Sequence, residues 1–303
     1  MYQSRSIWEE IKWQYNYGGI VIQLIFVNIA LYVLGLTFFV VTFLSAASRN
    51  VPQEFIEDWF YVPSGIVGFL TKPWTLLSYQ FLHAGFWHIL FNMLVLYWFG
   101  RIFTTYLNPK KILPLYLLGG FAGALFFLLS YNIFPAFSNE QAALVGASAS
   151  IMAILGATTA LAPDYEVRLY FLFTVKLKFI AAFLIFANIF TLPLGNAGGN
   201  FAHLGGVGLG FLYIYLLRNG TDITAPIAKA IDWIIGVLTY NPNQNVTFKT
   251  VKNKQKVKVS ATEKEDDKVD QDKVDAILDK IAENGYDSLT KEEKAYLFKA
   301  SKN

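Results

Sequence analysis

One serine and three histidines carry most of the chemistry this chain could do. Ser148 stands in Gly146-Ala147-Ser148-Ala149, at the mouth of an otherwise apolar run, AALVGASASIMAILGAT. The histidines are His83, His88 and His203, and all three lie in apolar surroundings. A serine hydroxyl is a weak nucleophile until a base takes its proton. Imidazole titrates near neutral pH, so His203 is the best base candidate for Ser148. His88 and Asn92 are four residues apart, about 40° around a helix, and so share a face. Both can donate hydrogen bonds, and with the backbone N–H of Ser148 they could form an oxyanion hole. No Asp or Glu lies in the stretches that carry these residues, so a Ser–His dyad is expected rather than a triad with a carboxylate. Orientation of His203 would then come from packing, with an uncharged partner as a further candidate. His83 precedes His88 by five residues, about 140° around a helix, which is poor geometry for a joint metal site. No metal and no cofactor is expected, and the absence of cysteine removes thiolate catalysis, disulfides and cysteine-ligated metals.

These residues must be positioned by helices in a membrane. The 303-residue chain is 54% hydrophobic and 17% aromatic, with a mean hydropathy of +0.39. No charge falls between Lys12 and Arg49, Lys72 and Arg101, Lys111 and Glu140, or Lys178 and Arg218. Such runs meet the roughly 20-residue requirement of a spanning helix. The net charge of +3 averages these runs with a tail dense in Lys, Asp and Glu, and gives no reason to expect nucleic acid as a partner.

The fold class expected is all-α, a polytopic six-helix bundle with a small helical C-terminal appendage. Residues 1–17 read as an interfacial lead-in and 18–218 as the membrane domain. Its spans fall near 18–47, 82–99, 112–134, 148–161, 175–190 and 198–217, the second carrying His83, His88 and Asn92. The apolar stretch after residue 17 is too long for a signal-peptide core and is taken as a retained span. Residues 219–240 suggest an amphipathic interfacial helix and 241–270 a flexible linker. In 271–303, Val274, Ile277, Leu278 and Ile281 keep helical spacing, and Thr290 with Glu293 forms a capping-box pattern. This small hairpin is either a plain appendage or a docking site for a cytoplasmic partner. Basic residues flanking the spans place both termini in the cytoplasm, and a bacterial plasma membrane is expected.

Small residues at four-residue spacing let the fourth and sixth helices approach closely: Ala149, Ala153 and Ala157 on one, Gly198, Ala202, Gly206 and Gly210 on the other. The topology brings Ser148, His203, His88 and Asn92 to similar depth. Spacing alone leaves three readings open: a catalytic dyad, a transporter site using the histidines as proton carriers, and a structural polar cluster.

The segment FLHAGFWHILFNMLVLYWFG, the GASA at 146–149, and Gly198-xxx-Ala202-His203-xx-Gly206-xxx-Gly210 occur in the order seen in rhomboid intramembrane serine proteases, and residues 74–217 resemble that family. The resemblance implies Ser148 as nucleophile and His203 as base, with His88, Asn92 and the Ser148 amide around the oxyanion. It implies single-pass transmembrane proteins as substrates, cut near the outer membrane face, with lateral entry between the second and fifth spans. It also implies a tyrosine four residues after the nucleophile, stacked on the base, where this chain has Met152. A non-proteolytic protein of the same fold that binds transmembrane helices is the alternative.

Overall fold

A computed structural model describes residues 6–45, 51–169, 173–239, 271–284 and 288–300. The chain forms two compact units, 1–241 and 242–303. The expected linker at 241–270 lies outside the described residues.

The first unit is mostly helical. It opens with α1 (Ile7–Tyr17), whose start is fixed by a reciprocal capping box between Ser6 and Glu9. Then come α2 (Gly19–Ser45), α3 (Val51–Phe60), strand β1 (Val62–Pro63), and the short helices α4 (Ile66–Thr71) and α5 (Thr75–Ser78). The long helices α6 (Phe86–Tyr106) and α7 (Ile112–Ile133) follow. After strand β2 (Ala143–Leu144) comes α8 (Ser148–Leu161). Strands β3 (Glu166–Leu169) and β4 (Phe173–Lys176) precede α9 (Leu177–Phe190), α10 (Ala197–Arg218) and α11 (Ala225–Leu238). Among the described residues, four helices are long and apolar enough to cross a membrane: 19–45, 86–106, 109–133 and 197–218. Helices α8 and α9 have 14 residues each, about 21 Å of rise against a hydrocarbon layer of about 30 Å.

The chain is mostly helical as expected, and the structure adds two short antiparallel ladders. β1 pairs antiparallel with β2, Val62 opposite Leu144 and Pro63 opposite Ala143. β3 and β4 form a second antiparallel ladder from Glu166–Lys176 to Leu169–Phe173. It also shortens the second expected span at its start. Helix α6 begins at Phe86, because Gly85 is extended, and His83 lies in the segment before it. The 140° separation of His83 and His88 on one helix therefore does not apply.

Helix α8 is the hub, with eleven of its residues, 149–159, buried. It packs on α10 backbone to backbone, and on α7 through the methyls of Ala149 and Ala153 against Gly123 and Gly119. A Cβ at Gly206 or Gly210 would strike the carbonyl oxygens of Ala149 and Ala153 respectively, and one at Gly156 would strike that of Val207. Such contact is how helices associate where burial from water gives no drive. Several polar groups between the helices are paired. Ser150 Oγ donates to Gln80 Oε1 at 3.0 Å, Tyr116 Oη to the Gln80 carbonyl at 2.5 Å, and Tyr79 Oη to the Gly120 carbonyl at 2.5 Å. Away from water, each such group left unpaired would cost several kcal/mol.

The ends of the bundle are clamped by charge. Asp164, after α8, receives Lys178 Nζ at 2.7 Å and Lys176 Nζ at 3.2 Å, and these bonds hold its carboxyl below the usual range. Lys111 pairs with Asp222, tying the start of α7 to the segment after α10. Partial burial pushes the Asp222 carboxyl up, but hydrogen bonds from Lys111 and from Thr224 outweigh it and hold the group below its ordinary value. A depressed carboxyl contributes stability that is complete above its unfolded value, near pH 4, and is lost as pH falls through the folded value. Asp222→Asn is thus expected to cost about 1 kcal/mol at neutral pH, discounted for exposure. Thermal melts from pH 7 to 3 should converge with wild type at the acid end.

The second unit contains α12 (Gln271–Asn284) and α13 (Lys291–Ala300). Glu293 Oε2 accepts from the Thr290 amide at 2.7 Å and Thr290 Oγ1 from the Glu293 amide at 3.3 Å, so the capping box forms. Glu293 also accepts from Lys280 of α12 at 2.8 Å, which ties the two helices together.

Candidate active site

Ser148 is the first residue of α8, two residues after a glycine that no other residue could replace without strain. Gly146 has φ +124°, and a Cβ there would lie 2.7 Å from both Cε1 and Nε2 of His88. Its amide donates to the Tyr79 carbonyl at 2.9 Å. The turn is therefore held from below while it lets the imidazole of His88 lie against the backbone. Helix geometry leaves the first amides of α8 without intrahelical acceptors, and the dipole favours negative charge there.

His203 projects from α10 toward this turn. Its Nε2 is 2.7 Å from Ser148 Oγ, and its Nδ1 is 2.7 Å from Asn188 Oδ1 of α9. The close backbones of α8 and α10, with Gly206 directly against Ala149, allow the first contact. Ser148, His203, His88 and Asn92 line one cavity of about 540 Å³, together with Trp87, Phe91, Leu144, Val145 and Asn196. Asn92 is buried, and its Nδ2 has no hydrogen-bond partner among the described residues. A buried amide donor without an acceptor is costly, and it faces a space where an acceptor could sit.

All four predicted residues thus come together. His83 stands beside them, its ring 5.2 Å from that of His88 and edge-on to it. It lines a separate cavity of about 250 Å³ with Gln53, Glu57 and Tyr61. Among the described residues no group of three or more metal-ligating side chains is present. Asn188 was missed by the sequence reading. Its signal was available, since an amide in an apolar helix is expensive and tends to be there for a reason, but nothing in the spacing named its partner. Met152 is buried in α8.

The arrangement can do proton-transfer chemistry on a hydroxyl. A serine 2.7 Å from an imidazole nitrogen, at a helix N-terminus, with spare donors in the same cavity, suits nucleophilic attack on a carbonyl.

Comparison with known proteins places much of the chain among relatives. The family model described as Rhomboid domain matches residues 70–220. A second, described as a family of unknown function (DUF6576), matches residues 262–303. Among curated proteins the chain is similar to RHOMBOID-like protein 12, mitochondrial, of Arabidopsis thaliana, 31% identical over 48% of this chain and 47% of that one. RHOMBOID-like protein 1 of the same plant is 33% identical over 52% and 41%. Rhomboid protein 1, mitochondrial, of Saccharomyces cerevisiae is 32% identical over 51% and 44%. The chain thus spans less than half the length of each of these three relatives. No solved structure matches it. These relatives overturn the expected bacterial plasma membrane: they are plant and yeast proteins, two of them mitochondrial, and they point to an integral membrane protein without that location. The matched region contains the helices that bring Ser148 and His203 together, and on that match the chain belongs to the rhomboid family.

Proposed function

We propose that the chain is an intramembrane serine endopeptidase that cuts transmembrane segments of single-pass membrane proteins with a Ser148–His203 dyad. The observation that carries this reading is the 2.7 Å contact between Ser148 Oγ and His203 Nε2 inside a bundle of apolar helices. In this reading α8 and α9 are short spans that bring the number of crossings to six. The loop after α8 holds Asp164 with Lys176 and Lys178, which fixes that end at a headgroup layer. About 21 Å of helix then puts Ser148 roughly 9 Å below the opposite surface of the hydrocarbon. Helix α11 exposes Trp233, Ile235 and Leu238 and lies on the membrane surface.

His203 Nε2 takes the serine proton as Oγ attacks the scissile carbonyl, and the carbonyl oxygen becomes an oxyanion. The Ser148 amide, Asn92 Nδ2 and His88 supply its hydrogen bonds. The imidazolium then protonates the leaving amine. A water entering through the cavity, deprotonated by the same histidine, releases the acyl group and restores the serine.

The test uses the purified full chain in lipid with a fluorophosphonate probe and single-span substrates. Phosphonylation mapped to Ser148, with substrate cut inside or beside its span, is the expected result. Labelling and cleavage both absent across several substrates would instead favour a family member that binds transmembrane helices without cutting them.

A further inference from the structure

From Phe179 to Phe190, helix α9 contains one residue with a polar side chain, Asn188. It is also one of only three buried residues in α9, with Leu177 and Ala181. Its two contacts determine which way the amide points. Asn188 Nδ2 donates to the Leu184 carbonyl at 2.7 Å. A backbone carbonyl can only accept, so the NH₂ lies there and the carbonyl Oδ1 faces α10. That oxygen is 2.7 Å from His203 Nδ1. It too can only accept, so Nδ1 carries the proton. A neutral imidazole has one N–H, which leaves a lone pair on Nε2, the nitrogen 2.7 Å from Ser148 Oγ. The chain of contacts from Leu184 through Asn188 and His203 to Ser148 permits one tautomer, the one able to accept the serine proton.

We infer that Asn188 is the positioning residue of this site, holding His203 in its base-competent tautomer and orientation; this rests on the proteolytic reading above. Met152, on α8, has no group that could donate or accept a strong hydrogen bond. The hold comes from α9 instead. An amide suits the place because a carboxylate would bury a second charge in the membrane region. An amide free to flip would point its NH₂ at Nδ1 and force the wrong tautomer, and a wrong tautomer costs catalytic triads about 10⁴-fold in kcat. The Leu184 carbonyl is what prevents the flip here. A second contact supports the geometry. Asn200 Nδ2 donates to Thr191 Oγ1 at 3.0 Å, three residues on from Asn188, just past the end of α9, and three back from His203 in α10. The two contacts are adjacent rungs between antiparallel helices. Away from them α9 turns Phe179, Phe183, Phe186 and Phe190 outward.

The test measures kcat, KM and fluorophosphonate labelling rate for the full chain in lipid. Asn188→Leu, similar in shape but without an acceptor, is expected to lower kcat and labelling by about 10²–10³-fold with KM nearly unchanged. Asn188→Asp keeps an acceptor at Nδ1 and is expected to recover at least about tenfold of that loss. Thr191→Val removes only the neighbouring rung and should stay within about threefold of wild type. A folded Asn188→Leu with wild-type labelling overturns the inference. So does an aspartate variant as slow as the leucine variant, or a Thr191→Val loss equal to that of Asn188→Leu, since α9 attachment alone would then account for the effect. If the leucine variant does not fold, Asn188→Ala takes its place in the same contrast. A wild type that fails to label at Ser148 removes the proteolytic reading and this inference with it. Labelling at Ser148 that is indifferent to residue 188 removes only the inference.

Discussion

His203→Ala is expected to reduce cleavage and fluorophosphonate labelling of Ser148 by on the order of 10⁴-fold or more, with little change in thermal stability. The size follows from the contact it removes. Without Nε2 at 2.7 Å, the serine proton has no acceptor, and a neutral hydroxyl attacks amides very slowly. Stability should hold because His203 is only half-buried and lines a cavity, so truncation enlarges an existing space rather than opening a new one in the core. Ser148→Ala should fall to the same floor. The double variant should be no worse than either single one, because the two groups act as a unit. Single-turnover assays with a model substrate and melts of the same samples check both halves. Equal losses of activity and of melting temperature would mean that the histidine holds the fold rather than the proton.

Gly206→Val is expected to be nearly as damaging, by a different route. A Cβ at Gly206 would strike the Ala149 carbonyl oxygen, a backbone atom that no side-chain rotation can move. Helices α8 and α10 must separate, at a cost of about 3 kcal/mol or more. Ala149 adjoins Ser148, so the same separation pulls the hydroxyl from His203. Displacement of about 1 Å is enough to lose about 10²-fold in rate. Gly208→Ala is the control. It is two residues away on the same helix, with nothing within 4 Å of its Cβ. It should leave both melting temperature and labelling near wild type, or raise stability slightly through the entropy of the unfolded chain. If the two variants behave alike, backbone contact between these helices is not what sets the site.

Much of the site was legible without coordinates, and for one reason. In an apolar chain, ionisable and amide side chains are rare because lipid penalises them, so Ser148, His203, His88 and Asn92 stand out. Charge-free runs of fixed minimum length mark the helices that carry them. Order along the chain and the expected alternation across a membrane then predict all four at one depth. That logic needs only length and polarity, and both are properties of a linear string.

What depended on rotation and on contact was not legible. The glycine row of α10 reads as one face, yet a residue four along turns by about 40°, so Gly198 and Gly206 differ by about 80°. In the structure Gly198 meets Phe127 of α7, whereas Gly206 and Gly210 meet the backbone of α8. His83 lies before α6 rather than on it, because the chain is extended at Gly85. Asn188 was visible as a lone amide but had no readable partner. Its partner lies fifteen residues on, in another helix, and both contacts depend on how α9 is turned about its axis. A sequence states which groups are too costly to be idle. Only the packed helices decide that the amide oxygen, and not its NH₂, faces the histidine, because that choice is made by the Leu184 carbonyl at 2.7 Å.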